Sequence, residues 1–223
     1  MRDFDEIFAI AAARKGGPSA LEARLAMPAP REALAAVPDD RWLSAMAKCL
    51  FQAGFHWKVI EAKWDGFETA FEGFNPARVA LYGDRDLDRL LADTGIVRNG
   101  AKIAAVIANA VFLTDLAREH GSAAGFFSDW PDADQAGLTA FMARRGARLG
   151  GVTGQRVLRL MGKDAYILSA DVTARLIAEG IVDKAPTSKR DLAAVQEAFN
   201  RWRAQSGRSL TEISQVLAMS IGG

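Results

Sequence analysis

Apolar residues in this chain recur at helical spacing almost throughout, and strict apolar–polar alternation is nearly absent, which leaves a β-sheet architecture little to build on. Phe4, Ile7, Phe8, Ile10 and Ala11 open the pattern, and Gly16, Gly17 and Pro18 interrupt it. Ser19 and Glu22 have capping-box spacing ahead of a short second helix, and Met27 to Pro30 reads as a breaker. Pro38, Asp39 and Asp40 lead into a helix from Arg41 to about Gln52, which Gly54 stops. Asn75 before Pro76 predicts an N-cap with proline in the first turn. Asp84 opens a helix through Leu91, and Gly100 precedes a long one from Ala101 to about Glu119. Further helices fit Asp134 to Arg145, Gln155 to Met161, Val172 to Glu179, Lys189 to Gln205 and Leu210 to Met219. Ser188 with Asp191 and Ser209 with Glu212 read as capping boxes. The expectation is an all-α protein of about ten or eleven short helices.

At 223 residues the chain can bury a sizeable core in one large or two small domains. Its 28 basic and 27 acidic residues nearly cancel, which argues against a nonspecific polyanion binder but leaves room for a local basic face. The charges are segregated. Between Phe141 and Lys163 stand Arg144, Arg145, Arg148, Arg156 and Arg159 with no acid, whereas Glu61 to Asp93 is mainly acidic and is expected to face away from phosphates. The single cysteine excludes an internal disulfide framework, and with two histidines it cannot complete a tetrahedral metal site, so no metal or redox cofactor is expected. The start MRDFDEIF lacks the look of a secretory signal, and the apolar run Ile103 to Leu113 is interrupted by Asn109; a cytoplasmic protein without a membrane partner is expected.

Leu149 to Asp171 carries the chemistry. Gly150, Gly151 and Gly154 allow a tight turn whose backbone N–H groups precede a helix, a combination suited to gripping an anion. The same glycines also suit a plain loop between packed helices. Asp171 lies just beyond and reads as the N-cap of a helix starting at Val172, whatever else it does.

Leu149 to Val157 (LGGVTGQRV) resembles the helix-hairpin-helix motif of the DNA glycosylase superfamily. A second set of stretches is similar to one branch of it, the DNA-3-methyladenine glycosylase I family: Gln52 to Trp57 (QAGFHW), Phe74 to Val79 (FNPARV), Asp93 to Ile107 (DTGIVRNGAKIAAVI) and Arg144 to Gly151 (RRGARLGG). The resemblance implies a two-lobed helical fold with a cleft between the lobes. One lobe would comprise residues 36–170 with the hairpin, the other residues 1–35 plus 171–223.

It also implies a monofunctional enzyme, a monomer, that flips an alkylated purine from duplex DNA and hydrolyses its glycosidic bond. Asp171 occupies the position of the superfamily's catalytic aspartate, and Gln155 that of the lysine of bifunctional members, so strand cleavage through a Schiff base is not expected. Trp57, Cys49 and Gln52 would line the base pocket, with Cys49 where the family has its base-recognising glutamate. Phe55 would wedge into the gap left by the flipped nucleotide. Gly151, Thr153, Gly154 and Gln155 would hold one phosphate, and Arg98, Asn99 and Lys102 a second. The family's zinc ligands have no counterparts here. An alternative is a helix-hairpin-helix DNA-binding protein without catalysis, or a glycosylase for a different lesion.

Overall fold

A computed structural model describes residues 1–221, and fifteen α-helices occur among them without a strand. In chain order they are α1 (Phe4–Lys15), α2 (Pro18–Glu22), α3 (Arg31–Ala35), α4 (Asp39–Gln52), α5 (Trp57–Ala62), α6 (Trp64–Ala70), α7 (Pro76–Val79), α8 (Asp84–Ala92), α9 (Gly100–His120), α10 (Ala123–Asp129), α11 (Gln135–Arg145), α12 (Val152–Met161), α13 (Ala170–Ala178), α14 (Lys189–Ser206) and α15 (Leu210–Met219). The all-α expectation is borne out. The short helices α3, α5, α6 and α10 lie where periodicity gave no signal, because five to seven residues cannot display two turns of a pattern.

Local chemistry explains most boundaries. Asn75 accepts the Arg78 N–H at 3.2 Å and Ser209 forms a full capping box with Glu212, both as the sequence suggests. Ser188 caps α14 alone, accepting from the Asp191 N–H. Ser19 does not cap: α2 begins one residue earlier, at Pro18, because proline already has the fixed φ of a first helical turn. At α13 the cap is Ser169, whose hydroxyl accepts the Val172 N–H at 3.2 Å, so Asp171 sits within the first turn rather than ahead of it.

Two compact units divide the chain. Unit 1 contains residues 1–29, 130–138 and 162–223; unit 2 contains residues 30–129 and 139–161. Residues 130–138 and 162–170, expected in the middle lobe, thus lie with the chain ends. In unit 1, Phe4, Ile7, Tyr166, Phe199, Trp202 and Ile213 form a continuous core. In unit 2, Trp42 stacks on Phe127 with ring centroids 4.4 Å apart, and Phe67, Phe71 and Phe74 continue the aromatic packing. Helix α9 is long and apolar enough to cross a membrane by length and composition, yet Ile103, Val106, Ala110, Leu113 and Leu116 are buried within unit 2. Its apolarity serves a core.

Candidate functional site

The hairpin in unit 2 is built by packing as much as by glycine. After α11, Arg148 takes a left-handed φ of 57°, Leu149 is fully buried, and Gly151 again turns left-handed at 57° before α12 starts. A Cβ on Gly154 would stand 2.3 Å from the Leu149 carbonyl oxygen, so only glycine lets the first turn of α12 close onto the loop. Gly146, which the sequence reading passed over, is as constrained: a Cβ there would meet the Leu149 Cδ1 at 2.6 Å and the Met142 carbonyl at 2.9 Å. Gly150 and Gly151 are exposed, and helix geometry leaves the N–H groups of the first turn of α12 without an i−4 carbonyl. An exposed concentration of backbone donors at the positive end of a helix suits an anion.

Arg144, Arg148 and Arg156 are exposed in this unit and make no ion pair among the described residues. Arg145 instead pairs with Glu119 at 2.9 Å.

Not every predicted phosphate ligand is available. Gln155 is 3% exposed and its N–H is used by the Gly151 carbonyl at 3.4 Å, so it belongs to the packed interior rather than to the cradle. Burial of Gly154 likewise leaves Gly150, Gly151 and Thr153 as the accessible part of the turn.

At the start of α9, Asn99 accepts the Lys102 N–H at 3.1 Å as the N-cap, and Arg98 is exposed. Lys102 departs from expectation. Its ammonium turns inward, 8% exposed as a residue, and donates to the carbonyls of Phe51 (3.3 Å) and Ala53 at the C-terminal end of α4. A cation there meets the negative pole of α4, which compensates its loss of water. Burial, and next the nearby Arg148, lower its pKa.

The segment after α4 carries the aromatic candidates. Gly54 has a φ of 79°, and the chain runs outward so that α5 buries only Ile60. Phe55 and Trp57 are 40% and 56% exposed, and Val59 joins them at the surface. Trp57 is therefore not a buried wall, and the Lys58 ammonium lies 5.9 Å from its ring centre. Cys49 and Gln52 share a face of α4, but Cys49 is buried and Gln52 half-buried. Desolvation pushes the Cys49 thiol up to about 11 despite Arg156 and Lys48 nearby, so it is neutral at pH 7. Of the base-pocket candidates, the Cys49 thiol is thus buried, Gln52 half-buried and the Trp57 ring at the surface.

A carboxylate knot also forms in this unit. Glu68 accepts both Arg41 nitrogens, the Ser44 hydroxyl and the Trp64 indole N–H at 2.8–3.2 Å. Burial alone would raise its pKa, but these donors outweigh it and hold the carboxyl below its usual range.

Asp171 lies in unit 1, exposed, with no hydrogen bond or ion pair to any described residue. The segment leading to it is extended yet pairs with side chains rather than with a strand. Gln135 makes two bonds to the Tyr166 backbone (2.7 and 2.8 Å), Thr211 accepts the Ala165 N–H, and Ser214 accepts the Ile167 N–H. Asp164 caps α15 through the N–H groups of Leu210 and Thr211. These contacts fix the approach to the Ser169 cap and hence the carboxylate of Asp171. Sequence spacing could not show them, since each partner is at least thirty residues away.

The metal implied by the family resemblance does not fit these residues. Cys49 is buried in α4, while His56 and His120 are exposed, His120 lying 4.7 Å from the Phe126 ring. No group of three histidines, cysteines or acids that could hold a metal occurs among the described residues.

The helical architecture is that of DNA glycosylases whose structures have been solved. A 3-methyladenine DNA glycosylase I from Staphylococcus aureus superposes with a TM-score of 0.51 at 21% identity, over 70% of this chain and 91% of that one. An 8-oxoguanine glycosylase/lyase from Methanocaldococcus jannaschii, in complex with DNA containing 8-oxoguanine, gives 0.52 at 12% identity over 96% of this chain and 86% of that one. These likenesses show the fold.

Within that class, the methyladenine glycosylase family model matches residues 36–142, which bears out the resemblance read from QAGFHW and DTGIVRNGAKIAAVI. DNA-3-methyladenine glycosylase 1 of Escherichia coli (strain K12) is 39% identical over 59 residues, 26% of this chain. The aligned stretch spans only 32% of that relative.

Proposed function

We propose that this protein is a monofunctional DNA glycosylase that excises an alkylated, 3-methyladenine-like purine from duplex DNA as a monomer in the cytoplasm. One observation carries the reading: a turn of backbone donors with Gly150 and Gly151 exposed and Thr153 half-buried, held in shape by buried Leu149, in a chain matching the methyladenine glycosylase family model over residues 36–142. That turn and Arg98 would hold the sugar-phosphate strand, Phe55 would enter the base stack, and Trp57 would stack on the everted base.

In the reaction, the bond between the purine nitrogen and C1′ breaks with its electron pair leaving on the base. An alkylated base already carries a positive charge, so it departs neutral. The sugar is left as an oxocarbenium ion, which the Asp171 carboxylate stabilises. Water adds at C1′ and gives up its proton, leaving an abasic site and no broken strand. Gln155 has no amine for a Schiff base and is buried besides, which supports hydrolysis without strand cleavage.

Cys49 supports a second reading, a helix-hairpin-helix DNA-binding protein without excision. A neutral buried thiol in place of the family glutamate cannot accept a hydrogen bond from the base as a carboxylate can.

Mixing the protein with methylated duplex and measuring released base and alkali-labile sites separates the two. We expect release by the wild type and its loss by about 100-fold or more in Asp171→Asn with DNA affinity kept. Unchanged release in that variant would remove Asp171 from the mechanism. Salt-dependent binding without release by the wild type would favour the second reading.

A further inference from the structure

Two buried polar side chains on α9 have no part in the scheme above. Lys102 grips the end of α4 and sits with its ammonium 4.5 Å from the ring centre of exposed Phe55. Two turns along, Asn109 is 0% exposed and makes a double bond pair to one backbone unit: its amide donates to the Ala147 carbonyl at 3.1 Å, and its oxygen accepts the Ala147 N–H at 2.7 Å. Ala147 immediately precedes the Arg148–Gly151 turn.

A core helix does not ordinarily bury an amide and an ammonium, since each costs desolvation unless every polar atom is satisfied. Both are satisfied here by backbone, Lys102 at the C-terminal end of α4 and Asn109 in the loop after α11, not by each other or by an acid. Residues seven apart share a helix face, and Lys102 and Asn109 are themselves about 10 Å apart along the α9 axis at ~1.5 Å per residue. All of these groups belong to unit 2.

We propose that α9 acts as a ruler, in which Lys102 and Asn109 are positioning residues that fix the spacing between the Phe55 loop and the glycine hairpin. The wedge and the phosphate cradle then meet one DNA strand in register. At about 3.4 Å per nucleotide step, the length of α9 between the two residues corresponds to roughly three steps. The cation–π contact additionally limits where the Phe55 ring can go. This inference rests on the glycosylase reading.

The test uses Lys102→Met and Asn109→Leu, each close in size to the original, and first follows amide exchange in the free protein. Lys102→Met should speed exchange at residues 53–56 by about tenfold and leave 147–151 unchanged; Asn109→Leu should do the reverse. On DNA, Lys102→Met should keep affinity for unmodified duplex within about twofold but lose severalfold of the 2-aminopurine signal that reports base eversion. Asn109→Leu should weaken unmodified-duplex binding by about tenfold with a shallower salt dependence. Wild-type exchange at both loops in the variants, or both variants loosening both loops alike, overturns the ruler while normal wild-type DNA binding leaves the glycosylase reading standing. A wild-type protein that binds no duplex overturns that reading and the DNA register with it.

Discussion

Cys49 shows how burial sets the chemistry of one residue. With its thiol pushed up to about 11, the thiolate fraction at pH 8 is about 100-fold below that of an ordinary cysteine. Reaction with a disulfide reagent should therefore be slow at pH 8 and accelerate about tenfold per pH unit up to pH 11. Fast labelling at pH 8 would show the α4 face to be open after all. The sign for stability follows: a raised thiol pKa favours the folded state fully below 9.0, and that contribution fades as pH climbs from 9.0 through the folded value. Gln155 shows the same logic in neutral form, since an interior amide neither reaches a phosphate nor attacks a sugar.

At the level of elements, the hairpin depends on two glycines for two different reasons. Gly154 has no room, its would-be Cβ lying 2.3 Å from the Leu149 oxygen, whereas Gly151 has open space but a positive φ. Gly154→Ala must displace backbone and should cost about 1–3 kcal/mol in thermal denaturation together with duplex affinity. Gly151→Ala pays only conformational strain, about 1 kcal/mol, and should retain most binding. Equal effects of the two would show that the turn relaxes freely and that Leu149 does not pin it. The extended run to Ser169 is a different kind of element, ordered by Gln135, Thr211 and Ser214 from neighbouring helices, which is how an exposed acid on a short helix keeps a fixed position.

Across the whole molecule, burial and donors compete at acids in both units, and at two of them the donors prevail. One, in unit 2, is Glu68, with Arg41, Ser44 and Trp64; the other, in unit 1, is Glu179, 1% exposed at its side chain, with the Arg2 backbone and side chain and Arg175. Burial raises both pKa values, the donors outweigh it, and both end below 4.5. The sign is that of a depressed carboxylate: its stabilisation is complete above pH 4.5 and is lost as pH falls through the lower folded value. Glu179→Gln leaves two cations without their buried anion and should cost about 3–5 kcal/mol at pH 7, with a smaller deficit near pH 3. Glu68→Gln should show the same trend with about 1–3 kcal/mol. Melting temperatures measured from pH 3 to 7 check this, and a deficit that does not depend on pH would contradict it.

What the chain determined by itself is what local physics can encode. Helical periodicity gave the all-α class, Asn75 and Ser209 declared their caps through side chains three residues from their partners, and LGGVTGQRV announced a tight turn ahead of a helix. The direction of side chains was decided elsewhere. Lys102 looked like a phosphate ligand because a lysine at a loop-to-helix start is usually hydrated, yet the carbonyls of Phe51 and Ala53, fifty residues upstream, draw it inward. Trp57 looked like a pocket wall, yet the chain's exit at Gly54 leaves it at the surface. Asp171 looked like a cap, but Ser169 took that place, because the contacts from Gln135, Thr211 and Ser214 fix the backbone before it. Capping and periodicity are short-range and survive in a sequence; burial and hydrogen-bond partnership are properties of distant chain segments brought together, and only the folded structure holds them.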